Sequence, residues 1–134
     1  MGSVFSKIIQ RELPAYIVYE DEKCIAFLDI NPLAKGHTLV VPKLEVDYVF
    51  DVPEDIYSHL WTVAKKIAHA IDKCGWGVRV GVAVLGLEVP HAHIHLVPIK
   101  SLHDLEFSRP KLKLTSDEFK EIQQKIIAAL KEEK

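Results

Sequence analysis

The sequence predicts an α+β domain, and three observations predict it. Helical and strand-like periodicities follow one another as helix, three strands, helix, two strands, loop, helix. The first three strand segments are joined by short connections, the signature of an antiparallel meander rather than of parallel crossovers. The chain has 134 residues, 49% hydrophobic and 27% charged, the size and balance of one domain with its own core.

Each element has its own warrant. Val4, Phe5, Ile8 and Ile9 recur at helical spacing, and Pro14 ends that first segment. Tyr16–Tyr19 is rich in β-formers and Cys24–Leu28 follows after the polar turn Glu20–Lys23, so a hairpin is predicted. Asn31-Pro32 turns the chain, and Gly36 precedes a third strand from His37 to Val41. Ile56, Leu60, Val63, Ala64, Ile67 and Ile71 then form the stripe of a long helix that starts near Pro53 and stops at Gly75. Val78–Leu85 and Ala92–Ile99 read as strands. Thr115 with Glu118 is a capping box opening a terminal helix striped by Phe119, Ile122, Ile126, Ile127 and Leu130.

Composition excludes several classes of function. A net charge of -2, from 17 basic and 19 acidic residues, gives no field for gripping a nucleic-acid backbone. No apolar run reaches the roughly 18–20 residues of a membrane span. Cys24 and Cys74 make no disulfide framework and lack metal-type spacing. With no secretory pattern at the N-terminus, a reducing cytoplasmic location is expected.

The unusual feature is seven histidines, three of them at positions 91, 93 and 95. Residues i, i+2 and i+4 of a strand share a face, so His91, His93 and His95 are expected to point one way, roughly 6.5–7 Å apart at a rise of about 3.3 Å per residue. Ala92, Ile94 and Leu96 then face the core. Three readings compete. The imidazoles are solvated or hydrogen-bonded with no shared task, or they bind zinc with help from His37, or they carry out nucleophilic and acid–base chemistry near neutral pH.

Several spaced motifs bear on that choice. Val89-Pro90-His91-Ala92-His93-Ile94-His95-Leu96-Val97-Pro98 resembles the His-φ-His-φ-His-φ-φ signature of the histidine triad (HIT) family, φ being apolar. Phe5–Ile9 with Glu12–Pro14, Tyr19–Asp21, Ala26–Pro32 and Gly36–Lys43 are similar to further family segments, in order. The resemblance implies one HIT-like domain over residues 1–134, with a triad-bearing core at about 4–99 and a C-terminal loop and helix at 100–134. It implies an antiparallel five-stranded sheet with a long helix and a C-terminal helix.

It also implies a function: attack at the α-phosphorus of nucleoside phosphoramidates or related AMP conjugates, through a covalent nucleotidyl-histidine. His93 would be the nucleophile, His95 would contact the phosphate and leaving group, and His91 and His37 would complete the imidazole network. Asp29 would hold the ribose, Phe5, Ile8, Phe27, Leu28 and Ile30 would wall the base pocket, and the Val89 amide would lie near the phosphate. The expected ligand is a purine nucleotide or AMP conjugate, the expected assembly a homodimer, with no metal or other cofactor. A dinucleoside polyphosphate hydrolase, or a nucleotide-binding interaction protein of low activity, are the alternatives.

Taken alone, Asp29 also suits a turn cap, and Phe5, Ile8 and Phe27 suit plain core. One stretch departs from the family. Ala83, Leu87 and Glu88 stand where relatives carry Asn, Gln and Ser or Thr, which removes donors worth about 1.5–3 kcal/mol each toward a charged acceptor.

Overall fold

The computed structural model describes residues 2–132, so Met1 and the last residues of the predicted C-terminal span, Glu133 and Lys134, lie outside the described residues. The elements are α1 (Val4–Ile9), β1 (Ile17–Glu20), β2 (Cys24–Leu28), β3 (Thr38–Pro42), α2 (Glu54–Cys74), β4 (Arg79–Ala83), β5 (Ile94–Ile99) and α3 (Ser116–Lys131). Short 3-10 turns at Val49–Asp51 and Leu102–Leu105 add to the predicted order. The five strands form one antiparallel sheet, β1-β2-β3-β5-β4. This is the predicted α+β architecture.

The sheet is covered on both faces, which is why β2 and β3 are buried along their whole length. On one face Cys24, Ala26, Leu28, Val40, Ile94 and Leu96 meet Leu60, Val63, Ile67 and Ile71 of α2 and Phe119, Ile122 and Ile126 of α3. A fully buried Ile or Leu there contributes about 2 kcal/mol of burial free energy. Tyr16 stacks on Phe119 at 4.9 Å, and Gln123 Nε2 donates to the Ile17 carbonyl, which seats α3 on the first strand. On the other face Ile25, Phe27, Leu39 and Val41 meet Phe5 and Ile8 of α1. That smaller apolar layer is where the site lies.

Two strand boundaries differ from the sequence expectation by two residues, the others by at most one. β5 starts at Ile94, because the Ala92 amide donates to the Val46 carbonyl and the His91 amide to the Val89 carbonyl. Those bonds fold the approach to the strand into a turn, so His91 and His93 precede the ladder. β4 ends at Ala83, and Val84 packs against Val49, Val52 and Ala92. The predicted caps are present. Gly75 closes α2 with φ 75, and Thr115 and Glu118 make the reciprocal capping box of α3.

Two further histidines, His59 and His69, lie on α2. His69 is exposed. His59 is half-buried, and its Nε2 lies 2.6 Å from Asp21 Oδ2, which ties α2 to the β1–β2 turn. Its spacing on the helix could not reveal a partner in a distant turn.

Candidate active site

Gly36 sets up the first part of the site. It has φ 92, and a Cβ there would come within 2.5 Å of the Trp76 ring, so only glycine suits the position. The turn it makes buries His37 at the head of β3. The Leu33 amide donates to His37 Nδ1 at 2.9 Å. An accepting Nδ1 carries no proton, so the proton of neutral His37 sits on Nε2. Nε2–H therefore donates to His95 Nδ1, 3.0 Å away, and His95 in turn keeps its own proton on Nε2.

The same bookkeeping fixes the other pair. His91 Nε2–H donates to the Pro42 carbonyl at 2.7 Å, and Ser3 Oγ–H donates to His91 Nδ1 at 2.7 Å. Ser3 is the N-cap of α1, its Oγ accepting the Ser6 amide, so one hydroxyl serves helix and histidine together. Glu45 organises this corner by accepting from the Ser3 amide and the Ser6 hydroxyl. His93 Nδ1 lies 2.7 Å from the His91 carbonyl, which can only accept. His93 thus holds its proton on Nδ1 and keeps the lone pair of Nε2 for an electrophile.

The three imidazoles lie on the α1 side of the sheet, as expected, with Phe5 set against His91 and His93 at 5.8 and 4.9 Å, but only His93 and His95 reach the cavity. His91 turns inward to Ser3 and Pro42, while the rings of His93 and His95 stand 4.8 Å apart, edge to face. They are also less open than a cleft-lining set, being 0%, 7% and 8% exposed. Ala92, Ile94 and Leu96 do face the core. Burial, first among the causes, pushes all four imidazoles toward the neutral form. It brings His95 down to about 4 and, with His95 and Lys111 close by, His37 down to about 3.

His93 and His95 open onto a cavity of about 500 Å³, within the range of small-molecule sites. Phe5, Ile8, Phe27, Leu28, Asp29, Ile30 and Val89 line the same cavity, so the structure brings these sequence candidates together. Phe5 sets its edge against both Phe27 and His93, at 5.5 and 4.9 Å. His91 and His37 stand behind the cavity wall, each hydrogen-bonded to the histidine region in front. Asp29 does two things: Oδ1 accepts the Asn31 amide in a side-chain-capped turn, while Oδ2 lies 3.5 Å from His37 Nε2. Its burial raises its pKa. Leu87 and Glu88, two of the departures from the family pattern, line the cavity, and Ala83 pairs with His95 in the ladder.

Asp29, His37 and His95 bring metal-type donor atoms within 4.8 Å of one another. A cation between them would have to replace the proton that His37 Nε2 shares with His95 Nδ1, while the Leu33 amide still points at Nδ1. The hydrogen bonds therefore favour a proton at this position. Asp21, Cys24 and His59 form a second such group, whose carboxylate is already taken by Tyr19, His59 and two amides.

Sequence reasoning missed Ser3, Phe107 and Lys111. Phe107 packs its ring against His95 at 4.7 Å and His37 at 6.1 Å, and lines the cavity beside Lys111. All three lie outside the repeating patterns of strands and helices, and only the fold carries them to the histidines. His103, left unassigned by sequence, is exposed and pairs with Glu106.

The chain is similar to known proteins over most of its length. The HIT domain matches residues 10–102. An uncharacterized HIT-like protein of Borreliella burgdorferi is 37% identical over 131 residues, covering 92% of this chain and 94% of its own. The crystal structure of a Hit-like protein from Bartonella henselae superposes with a TM-score of 0.83 at 31% identity, over 95% of each chain. That of a hypothetical histidine triad nucleotide-binding protein from Sulfolobus tokodaii gives 0.81 at 29% identity, over 96% of this chain and 91% of that one. With the HIT domain matched over most of its length and a HIT-like relative 37% identical, the chain belongs to the HIT family of nucleotide-binding hydrolases and transferases.

Proposed function

We propose that this protein is a nucleotidyl hydrolase acting on nucleoside phosphoramidates or related AMP conjugates through a nucleotidyl-His93 intermediate. The observation that carries this reading is the tautomer of His93. Its Nδ1–H is held by a carbonyl, and its unprotonated Nε2 opens on a cavity walled by Phe5, Ile8 and Phe27 and edged by Asp29. The wall suits a purine, and the Asp29 carboxylate suits ribose hydroxyls. His93 Nε2 attacks the α-phosphorus as the bond to the leaving nitrogen breaks, and that nitrogen departs as an amine with a proton from solvent. The His91 carbonyl steadies the positive charge that attack places on the imidazole, and His95 Nε2–H donates to the phosphoryl or leaving group. Water then adds to phosphorus, His93 leaves with its electron pair, and AMP and a proton are released.

The test is AMP release from AMP-linked amines and from dinucleoside polyphosphates, with intact-mass detection of a nucleotidyl adduct on the peptide carrying His93. Faster release from the amines, with the adduct, supports the phosphoramidase reading. Release from neither class refutes the enzyme.

The working unit we propose is a cytoplasmic homodimer. β4 has one partner, β5, and its outer edge is flanked by exposed Val78, Val82, Leu85 and Leu87. Beside it lie the contacting rings of Tyr48, Phe50, Tyr57 and Trp61, and the buried Trp61 Nε1 has no partner among the described residues. A second β4 edge on a two-fold axis would cover both. Val82→Lys is expected to shift sedimentation from dimer to monomer, and an unchanged dimer would move the interface elsewhere. The free thiols of Cys24 and Cys74 suit a reducing compartment, and no helix among the described residues is long and apolar enough to cross a membrane.

A further inference from the structure

The segment after β5 crosses the mouth of the cavity. Its course is fixed by several bonds. Asp104 accepts the Lys100 and Ser101 amides and pairs with Arg109, and Arg109 also donates to the His103 carbonyl. The Leu112 amide donates to the Pro32 carbonyl at 2.9 Å, which ties the segment to the Asp29 turn. Between these anchors Phe107 covers His95, and Lys111 Nζ donates to the Phe107 and Arg109 carbonyls at 2.5 and 2.9 Å. An ammonium has three donors, and among the described residues no third partner takes the last one. The family match ends at residue 102, so this strap lies beyond it.

The charges of the cavity make that lysine stand out. Asp29 and Glu88 line it as acids, and His93 and His95 are held toward the neutral form. Lys111 is the only lysine or arginine among the lining residues. Ala83, Leu87 and Glu88 supply no side-chain donor for a phosphate. Without Lys111 a bound phosphate would meet two carboxylates and no cation. We infer that Lys111 is a specificity-determining residue that donates its remaining N–H to the phosphoryl oxygens of the bound nucleotide, standing in for the polar donors missing before the triad.

This inference rests on the nucleotide-hydrolase reading, and binding measurements separate the two. Adenosine and AMP are titrated calorimetrically into the wild-type protein, Lys111→Met and Lys111→Arg. Adenosine reaches the base wall and Asp29 but brings no phosphate. The expected result is AMP affinity reduced at least tenfold in K111M, near wild type in K111R, and adenosine affinity unchanged in all three. Equal weakening of both ligands in K111M would show that Lys111 acts through the strap or through Asp29, and would overturn the inference. AMP affinity unchanged in K111M would overturn it as well, while leaving the nucleotide reading intact. If wild type binds neither ligand, both fall together.

Discussion

Replacing His93 with glutamine is expected to lower turnover by at least about a thousandfold while leaving AMP binding within a few-fold of wild type. Glutamine is close in size and can keep a hydrogen bond to the His91 carbonyl, so the buried position stays filled. What disappears is the lone pair of Nε2, the atom that must bond to phosphorus. The nucleotidyl adduct should vanish with it. A matched thermal melt separates loss of chemistry from loss of fold. Turnover within tenfold of wild type would place the nucleophile on another atom and end the proposed mechanism.

Mild acid should unfold this protein more readily than an ordinary domain of its size. His37 and His95 have native pKa values of about 3 and about 4, against about 6.5 in an unfolded chain. Both states are neutral at these groups above pH 7, so the pair makes no difference there. As the pH falls below 6.5 the unfolded chain binds protons that the native chain refuses, and stability drops until the native groups also titrate, near pH 4 and below. Two such groups make the protein about 4 kcal/mol less stable at pH 5 than at pH 7. His91 and His93 act in the same direction, and Asp29, with its raised pKa, opposes them in part. Urea unfolding at the two pH values measures the sum. A free energy of unfolding that is level across this range would contradict the buried, neutral assignment. The same depression shifts the chemistry: turnover by the folded protein should persist below pH 6, where free imidazole would already be charged.

What the sequence made legible was local. The alternation of Ala92, Ile94 and Leu96 with the histidines fixed which side faces the core, because that pattern needs only neighbours. The stripe of Leu60, Val63, Ile67 and Ile71 placed α2 on the sheet for the same reason. The direction of His91 was not legible, since its partners Ser3 and Pro42 come from other parts of the chain. Neither was the late start of β5, which depends on the Val46 carbonyl capturing the Ala92 amide. Asp29 answers to both of its readings, a turn cap through one oxygen and a cavity carboxylate through the other. Phe107 and Lys111 sit in an irregular segment whose residues carry no period, so only the anchors at Pro32 and Asp104 reveal where they go.

The bond from Ser3 to His91 joins residues 88 positions apart, and the bond from Gln123 to Ile17 spans 106. A ribosome must therefore release most of the polypeptide before the first helix can meet the triad. Until then the His91 ring lacks its serine, and the carbonyl that orients His93 is not yet held. Reactivity of His93 is in this sense a late event of biosynthesis, and a half-made chain carries the motif without the armed nucleophile.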